Sequence, residues 1–236
     1  MNLVNILLIG DEPNILRTLR RNLVSRGYEV MIAFDDSEAY EMAAKTQLDL
    51  FVLNLDFTII NVDGLEVCAN LRKISQAPII VLSSMGEEKI KIQSLDIGAD
   101  DFLVMPASME EFLARVRSAL RRWLEFKSGE IKANHLIMFR ELFIDTNARQ
   151  VSKHGEQVRL TPTEYDLMVY LVRQSDKVIT HRELLKAIWG NEYGEEREYL
   201  RVFISQLRRK IEDDPLSPTY ILTVPGVGYR FASDQT

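Results

Sequence analysis

The sequence predicts an α/β protein in which a doubly wound (βα)5 domain precedes a smaller domain of helices and short antiparallel strands. In the first half, five short apolar runs alternate with five amphipathic segments, which is typical of a parallel sheet covered by helices on both faces. In the second half, short alternating strands come first, and helical segments with a final pair of strands follow. A length of 236 residues suits two such domains.

The composition indicates a globular protein and excludes a disulfide scaffold. Hydrophobic residues make up 46% and charged residues 27%, and no apolar run reaches the roughly 18 residues of a membrane span. The N-terminus lacks the basic leader of a signal peptide. The single cysteine, Cys68, lies in a helical segment and is predicted to be a core residue. We therefore expect a cytoplasmic protein with no membrane partner.

The five β/α units of the first half can be placed by their patterns. Strands are predicted at 4–9, 29–34, 50–54, 78–83 and 101–105, with helices at 13–27, 36–45, 63–73, 87–98 and 108–124. Ser108 and Glu111 form a capping signal for the last helix. In such sheets, ligand chemistry lies at the carboxyl ends of the strands. The residues at those ends are Gly10, Asp11, Glu12, Asn54, Ser83 and Met105.

The second half begins after a polar segment, 125–134, which we interpret as a linker between domains at 1–124 and 135–236. Four strands at 136–160 are followed by two helices, which begin at capping boxes formed by Thr161 with Glu164 and by Thr180 with Glu183. The three histidines, His135, His154 and His181, lack metal-ligand spacing and are interpreted as surface or capping residues.

A third helix in the second half has two unlike faces. One face carries an apolar stripe, formed by Leu200, Phe203, Ile204, Leu207 and Ile211. Arg201, Ser205, Gln206 and Arg209 lie away from the stripe, and Arg208 and Lys210 lie on its flanks. Arginine can pair with guanine, glutamine with adenine, and serine with phosphate. Although the net charge is −6, charge distribution matters more for nucleic-acid binding, so this helix suits a DNA major groove.

The pattern LRxKIxxDP…YIxTVxGxGYRF, together with VRLTPTEYDLMVYL and ITHRELLKAIWG, resembles the C-terminal winged helix of OmpR/PhoB response regulators, and within them the KdpE-type regulators. The resemblance implies a winged helix-turn-helix domain that binds double-stranded DNA as a homodimer, with Thr223, Tyr229 and Arg230 in the wing. Pro225 departs from a position that is often basic in the family. The loop 191–198 corresponds to a segment that contacts RNA polymerase.

The first half resembles the receiver domain of the same family through GDEP, PIIVLSS, DIGADDF and MP. A working receiver uses two acids for Mg²⁺, an aspartate that accepts the phosphoryl group, a hydroxyl and a lysine. Here Gly10 replaces the first acid, Met105 replaces the lysine, and Asn54 occupies the acceptor position. The amide of Asn54 is not a usable nucleophile. No cofactor is therefore expected, and Asp11 is the weak candidate for a metal ligand that remains.

An alternative alignment places Asp56 at the acceptor position. The distance along the chain to Asp63-Gly64 fits Asp56, whereas the strand 50–54 fits Asn54. A two-residue shift moves a side chain roughly 6.6 Å along a strand, which we expect to take Asp56 away from Asp11. Both alignments remain open from the sequence.

The resemblance also implies a dimer face formed by the fourth helix, fifth strand and fifth helix of the receiver, where opposite charges set orientation and partner choice. Its candidate residues are Lys91, Asp96, Asp100, Asp101, Glu111, Arg115, Arg117 and Arg122.

The sequence predicts a DNA-binding transcriptional regulator, not an enzyme, that dimerises without aspartyl phosphorylation. One alternative is a conventional regulator phosphorylated on Asp56 by a histidine kinase. Another is a receiver whose apolar pocket, lined by Met105, senses a ligand or a protein.

Overall fold

The computed structural model describes residues 3–56, 64–127, 136–194 and 196–233. The chain divides into two compact units, Met1–Trp123 and Leu124–Thr236. None of the helices in these ranges is long and apolar enough to cross a membrane.

The first unit contains a five-stranded parallel sheet in the order β2-β1-β3-β4-β5. The strands are β1 (Asn5–Ile9), β2 (Glu29–Ala33), β3 (Leu50–Asn54), β4 (Ile79–Ser83) and β5 (Asp101–Val104). Every residue of β3 and β4 is buried. Both strands are almost entirely apolar because helices cover both faces of the sheet, and the predicted doubly wound fold is confirmed.

Five helices accompany this sheet: α1 (Pro13–Val24), α2 (Asp36–Lys45), α3 (Gly64–Ile74), α4 (Glu88–Asp96) and α5 (Met109–Lys127). At the start of α5, the Ser108 hydroxyl accepts a hydrogen bond from the Glu111 backbone N–H at 3.0 Å, as its capping signal predicts. Helix α5 continues through Lys127, so the first three residues of the predicted linker are helical. The rest of that linker, and His135 after it, lie outside the described residues.

The second unit begins with an antiparallel sheet of four strands, β6 (Leu136–Phe139), β7 (Leu142–Asp145), β8 (Gln150–Lys153) and β9 (Glu156–Val158). The elements that follow are α6 (Pro162–Arg173), β10 (Ile179–Thr180), α7 (His181–Ile188), α8 (Arg197–Ile211), β11 (Ile221–Val224) and β12 (Gly228–Phe231). Strands β10, β12 and β11 form a second small sheet. Both predicted capping boxes, at the starts of α6 and α7, are present.

The core of the second unit forms around α8. All five residues of its predicted apolar stripe are almost completely buried, and Phe203 packs against Trp189 with ring centroids 5.2 Å apart. Helix α8 is also held by ionic contacts at its C-terminal end. The Lys210 ammonium lies 2.5 and 2.7 Å from the two carboxylate oxygens of the buried Glu164 in α6. These contacts fix which face of α8 remains exposed.

Candidate functional site

The carboxyl ends of β1, β3 and β4 carry Gly10, Asn54 and Ser83, and all three residues are buried. Asn54 is the last residue of β3 and is paired in register with Leu82 of β4. Its Oδ1 accepts a hydrogen bond from the Asp56 backbone N–H at 3.2 Å. A Cβ added at Gly10 would lie 3.1 Å from the Asn54 Cβ, so an aspartate at position 10 would require the Asn54 side chain to shift slightly.

Asp56 lies beyond the end of β3, yet its carboxylate reaches β4. The Ser83 hydroxyl donates to Asp56 Oδ1 at 2.8 Å, and the Ser84 backbone N–H donates to Oδ2 at 2.6 Å. The Ser83 oxygen in turn accepts from the Met85 backbone N–H at 3.1 Å. The sequence predicts that Asp56 lies away from Asp11, and this stays a prediction. The turn after β3 directs Asp56 toward β4, so its carboxylate lies within hydrogen-bonding distance of Ser83.

The other pocket residues predicted from the sequence differ in their exposure. Asp11 and Glu12 are exposed, and Met105 is half-buried where an ammonium group would be needed. Asp63, which supports the alternative alignment, lies outside the described residues. Within the described ranges, no three Asp, Glu, His or Cys residues come together as metal ligands. Since Gly10 offers no ligand and Asn54 offers an amide, the described residues do not fit the Mg²⁺ site of a working receiver.

Several residues expected at the dimer face are engaged within the chain. Asp100 is fully buried, and its Oδ2 lies 2.5 Å from Arg72 Nη2 and 2.9 Å from the Ile79 backbone N–H. This burial is at odds with an intersubunit role for Asp100, because its charge stabilises the fold. Arg115 similarly contacts Asp101 at 2.9 Å and Glu111 at 2.7 Å.

The other members of that set are closer to solvent. Asp96 and Arg117 are exposed, whereas Lys91 and Arg122 are half-buried. Two apolar side chains near the end of β4 and on β5, Met85 and Val104, are also exposed, Val104 by 40%.

The outer face of α8 differs from the predicted face at one central position. Arg201 and Arg209 are exposed and Ser205 is half-buried, as a DNA-facing surface requires. Gln206 is only 6% exposed, which corrects the expectation that it reads a base. It lies between Phe203 and Leu207 in sequence and turns with the packed face of the helix.

Arg208 joins α8 to the wing, which is the β11–β12 hairpin. Its guanidinium donates to the Ile221 carbonyl at 2.5 and 3.0 Å and to the Thr223 hydroxyl at 2.9 Å. Thr223 is exposed and Arg230 half-buried, but Tyr229 is buried, with the Arg208 guanidinium 6.0 Å from its ring centroid. The burial corrects the expectation of a DNA contact for Tyr229, because its ring fills the space between the wing and α8.

Arg197 is not among the DNA-binding residues predicted from the sequence, yet it is exposed one turn before Arg201 on the same face of α8. The four-residue spacing of Arg197, Arg201 and Ser205 is the signal that would have found it. His154 is exposed and His181 half-buried. Cys68 is a core residue as predicted, and burial raises the pKa of its thiol to about 12.

The sequence matches two protein families, described as "Response regulator receiver domain" over residues 6–117 and "Transcriptional regulatory protein, C terminal" over residues 155–231. It is 42% identical to the transcriptional regulatory protein KdpE of Mycobacterium tuberculosis, covering 96% of this chain and 98% of the relative. It is 38% identical to the KDP operon transcriptional regulatory protein KdpE of Escherichia coli K12, covering 97% and 99%.

Among solved structures, a mutant form of RitR superposes with a TM-score of 0.76 at 27% identity and covers 98% of this chain and 99% of that one. The parallel sheet of the first unit and the winged helix of the second are the two domains that the matched families describe, and the relatives match over nearly their whole length. The chain belongs to the OmpR/PhoB-type response regulators, as a DNA-binding transcriptional regulator and not an enzyme.

Proposed function

We propose that this protein is a sequence-specific DNA-binding regulator that acts as a homodimer without aspartyl phosphorylation. The observation that carries the proposal is the lack of charged side chains at two strand ends, where Gly10 stands in place of an acid and Met105 in place of a lysine. Asn54, at the end of β3, cannot accept phosphate, and no ammonium group is provided at position 105.

The DNA-binding part of the proposal is supported by the exposed face of α8. Arg197, Arg201 and Arg209 form no ion pair or hydrogen bond within the described residues, and Ser205 lies between them. Unpaired guanidinium groups on one helix face can neutralise phosphates and pair with guanine edges. The contact of Arg208 with Thr223 fixes the wing relative to this face, so both can meet one duplex.

The dimer part is supported by the exposed edge of the first unit's sheet. Val104 and Met85 provide apolar surface, and Arg117 and Asp96 of the predicted dimer face provide exposed charges of opposite sign. Apolar centres with polar rims are typical of protein interfaces. A twofold pairing of this face would bring two winged helices to adjacent half-sites.

RNA polymerase is the expected protein partner, through the loop between α7 and α8. In this loop Glu192 is exposed, and Glu196 accepts from the Gly194 backbone N–H at 3.0 Å. The acidic side chains of this loop can pair with basic groups of a protein partner.

The second candidate is a conventional two-component regulator phosphorylated on Asp56 by a histidine kinase. The half-buried position of Asp56 and the contact of its carboxylate with Ser83 favour this candidate over a chain with no usable acceptor. The missing charges at positions 10 and 105 disfavour it, because a developing phosphoryl charge needs compensation.

Incubation with acetyl phosphate and Mg²⁺, followed by intact-protein mass spectrometry, separates the two candidates. We expect no phosphoryl adduct on the wild type. An adduct that Asp56→Ala removes and Asn54→Ala retains would establish the conventional candidate and overturn phosphorylation independence.

A further inference from the structure

An open cleft of about 880 Å³ in the second unit lies between α7, the N-terminal end of α8 and the wing turn. Its walls carry cations from two helices and backbone from the turn. The residues used below are His181, Arg182 and Lys186 of α7, Arg197 of α8, and Gly226 and Val227 of the turn. The loop between α7 and α8 adds Glu192. The cleft adjoins the exposed arginine face of α8.

His181 connects α7 to the wing at one wall of the cleft. Its backbone N–H donates to the Val227 carbonyl at 3.1 Å, which ties α7 to the wing turn. Its imidazole lies edge-on to the Tyr229 ring, with centroids 5.5 Å apart at 89°. His181 is half-buried and lines the cleft.

The groups that face His181 are mostly cationic. Helix α8 contributes Arg197 and Arg201, which act on the imidazole directly. On α7 itself, Arg182 and Lys186 line the same cleft. The wing contributes Tyr229, whose pKa is raised by burial, so its phenol stays neutral. Two carboxylates oppose them: Glu192, and Glu183, which is already bonded to the Thr180 backbone N–H and hydroxyl. The cleft therefore attracts an anion and disfavours protonation of the imidazole.

Resting on the proposed DNA-binding function, we propose that this cleft binds a phosphate of the DNA backbone and that His181 takes up a proton as the phosphate binds. The consequence is a DNA affinity that increases as the pH falls. This phosphate contact does not depend on the base sequence of the DNA, because the backbone phosphate is the same at every nucleotide.

The sign follows from the charges. In the free protein, burial first and then Arg197 and Arg201 lower the pKa of His181 below its ordinary value. A bound phosphate offsets the two guanidinium charges and accepts a hydrogen bond from imidazolium, so it raises that pKa. The gain in affinity is complete below the pKa of the free protein and is lost above the pKa of the complex. Between them, one proton changes affinity by up to about tenfold per pH unit.

The test uses the full-length protein and a random-sequence duplex DNA, because a phosphate contact does not need the specific site. Affinity is measured from about pH 8 to about pH 6 at one ionic strength, since salt alone changes phosphate binding. We expect His181→Gln to bind DNA with a shallower pH dependence than wild type. His181→Arg should bind more tightly than His181→Gln at the alkaline end. His154→Gln, at an exposed histidine outside the cleft, should keep the wild-type slope.

A second measurement follows the imidazole directly. His181 is identified in a histidine NMR spectrum by the signal missing from His181→Gln, and its pKa should rise when DNA is added. An unchanged pKa, or equal pH slopes for wild type and His181→Gln, would overturn the inference while leaving DNA binding intact. Absence of DNA binding by the wild type at every pH would contradict the proposed function itself, and the inference with it.

Discussion

The strand-end pocket of the first unit and the outer face of α8 in the second differ in whether their charged groups have partners within the chain. In the pocket, the Asp56 carboxylate is bonded within the chain to Ser83 and Ser84. On α8, Arg197, Arg201 and Arg209 have no counter-charge within the described residues. A polar group satisfied internally stabilises the fold, whereas a charge left in solvent is available to a partner. We therefore expect partner recognition on α8 and a structural role for Asp56 in the pocket.

The largest expected effect concerns Asp100, a second carboxylate whose partners lie within the chain. Asp100→Ala should lower the free energy of unfolding by about 3–5 kcal/mol, because Arg72 would keep a buried and unpaired charge. Chemical denaturation of the first unit measures the change. Asp11→Ala, at an exposed carboxylate, is the control and should change stability little. If the Asp100→Ala protein were as stable as the wild type but failed to dimerise, Asp100 would instead have a role in the dimer interface.

Asp56→Ala tests the pocket itself. The variant removes the acceptor for Ser83 and for the Ser84 backbone N–H, so we expect a loss of roughly 1–3 kcal/mol in stability. Hydrogen exchange at Ser84 and Met85 should also become faster. Asp11→Ala, at an exposed carboxylate near the same pocket, provides the matched control. Equal exchange in both variants would mean that Asp56 does not hold this loop.

Arg201→Ala and Arg209→Ala test the exposed face of α8. A lost phosphate contact should weaken selected and scrambled duplexes alike and reduce the salt slope by about one. A lost bidentate contact to guanine should cost about 1–3 kcal/mol on the selected duplex alone. We expect the first result for Arg201 and the second for Arg209. Arg159→Ala, an exposed arginine outside α8 and the wing, is the control; wild-type binding by both α8 variants would place recognition elsewhere.

The smallest expected effect is at the dimer face. Arg117→Glu should shift sedimentation of the untreated protein toward monomer, with about 0.2–1 kcal/mol lost for each exposed ion pair that it breaks. Arg115 is unsuitable for this test because it already contacts Asp101 and Glu111. Arg17→Glu on α1 carries the same charge reversal away from the face and should leave the distribution unchanged. A wild type that is monomeric at micromolar concentration would contradict the dimer proposal.

The sequence by itself determined the order of the elements and the apolar side of each helix. The stripe of α8 and the capping boxes of α6 and α7 depend on residues three or four apart, so local spacing was enough to place them. The placement of Gly10, Asn54 and Met105 at or just beyond strand ends was likewise readable, because each strand end is marked by the apolar run before it.

Only the tertiary structure decided which polar side chains meet. Asp56 contacts Ser83, 27 positions along the chain, and Glu164 contacts Lys210, 46 positions away. Gln206 and Tyr229 are polar enough to suit a DNA surface, yet packing between α8 and its neighbours buries them. Helical spacing fixes a residue's direction from its own axis. Which face of a helix is buried depends on packing against elements that are distant in sequence. A local sequence pattern contains no information about those elements.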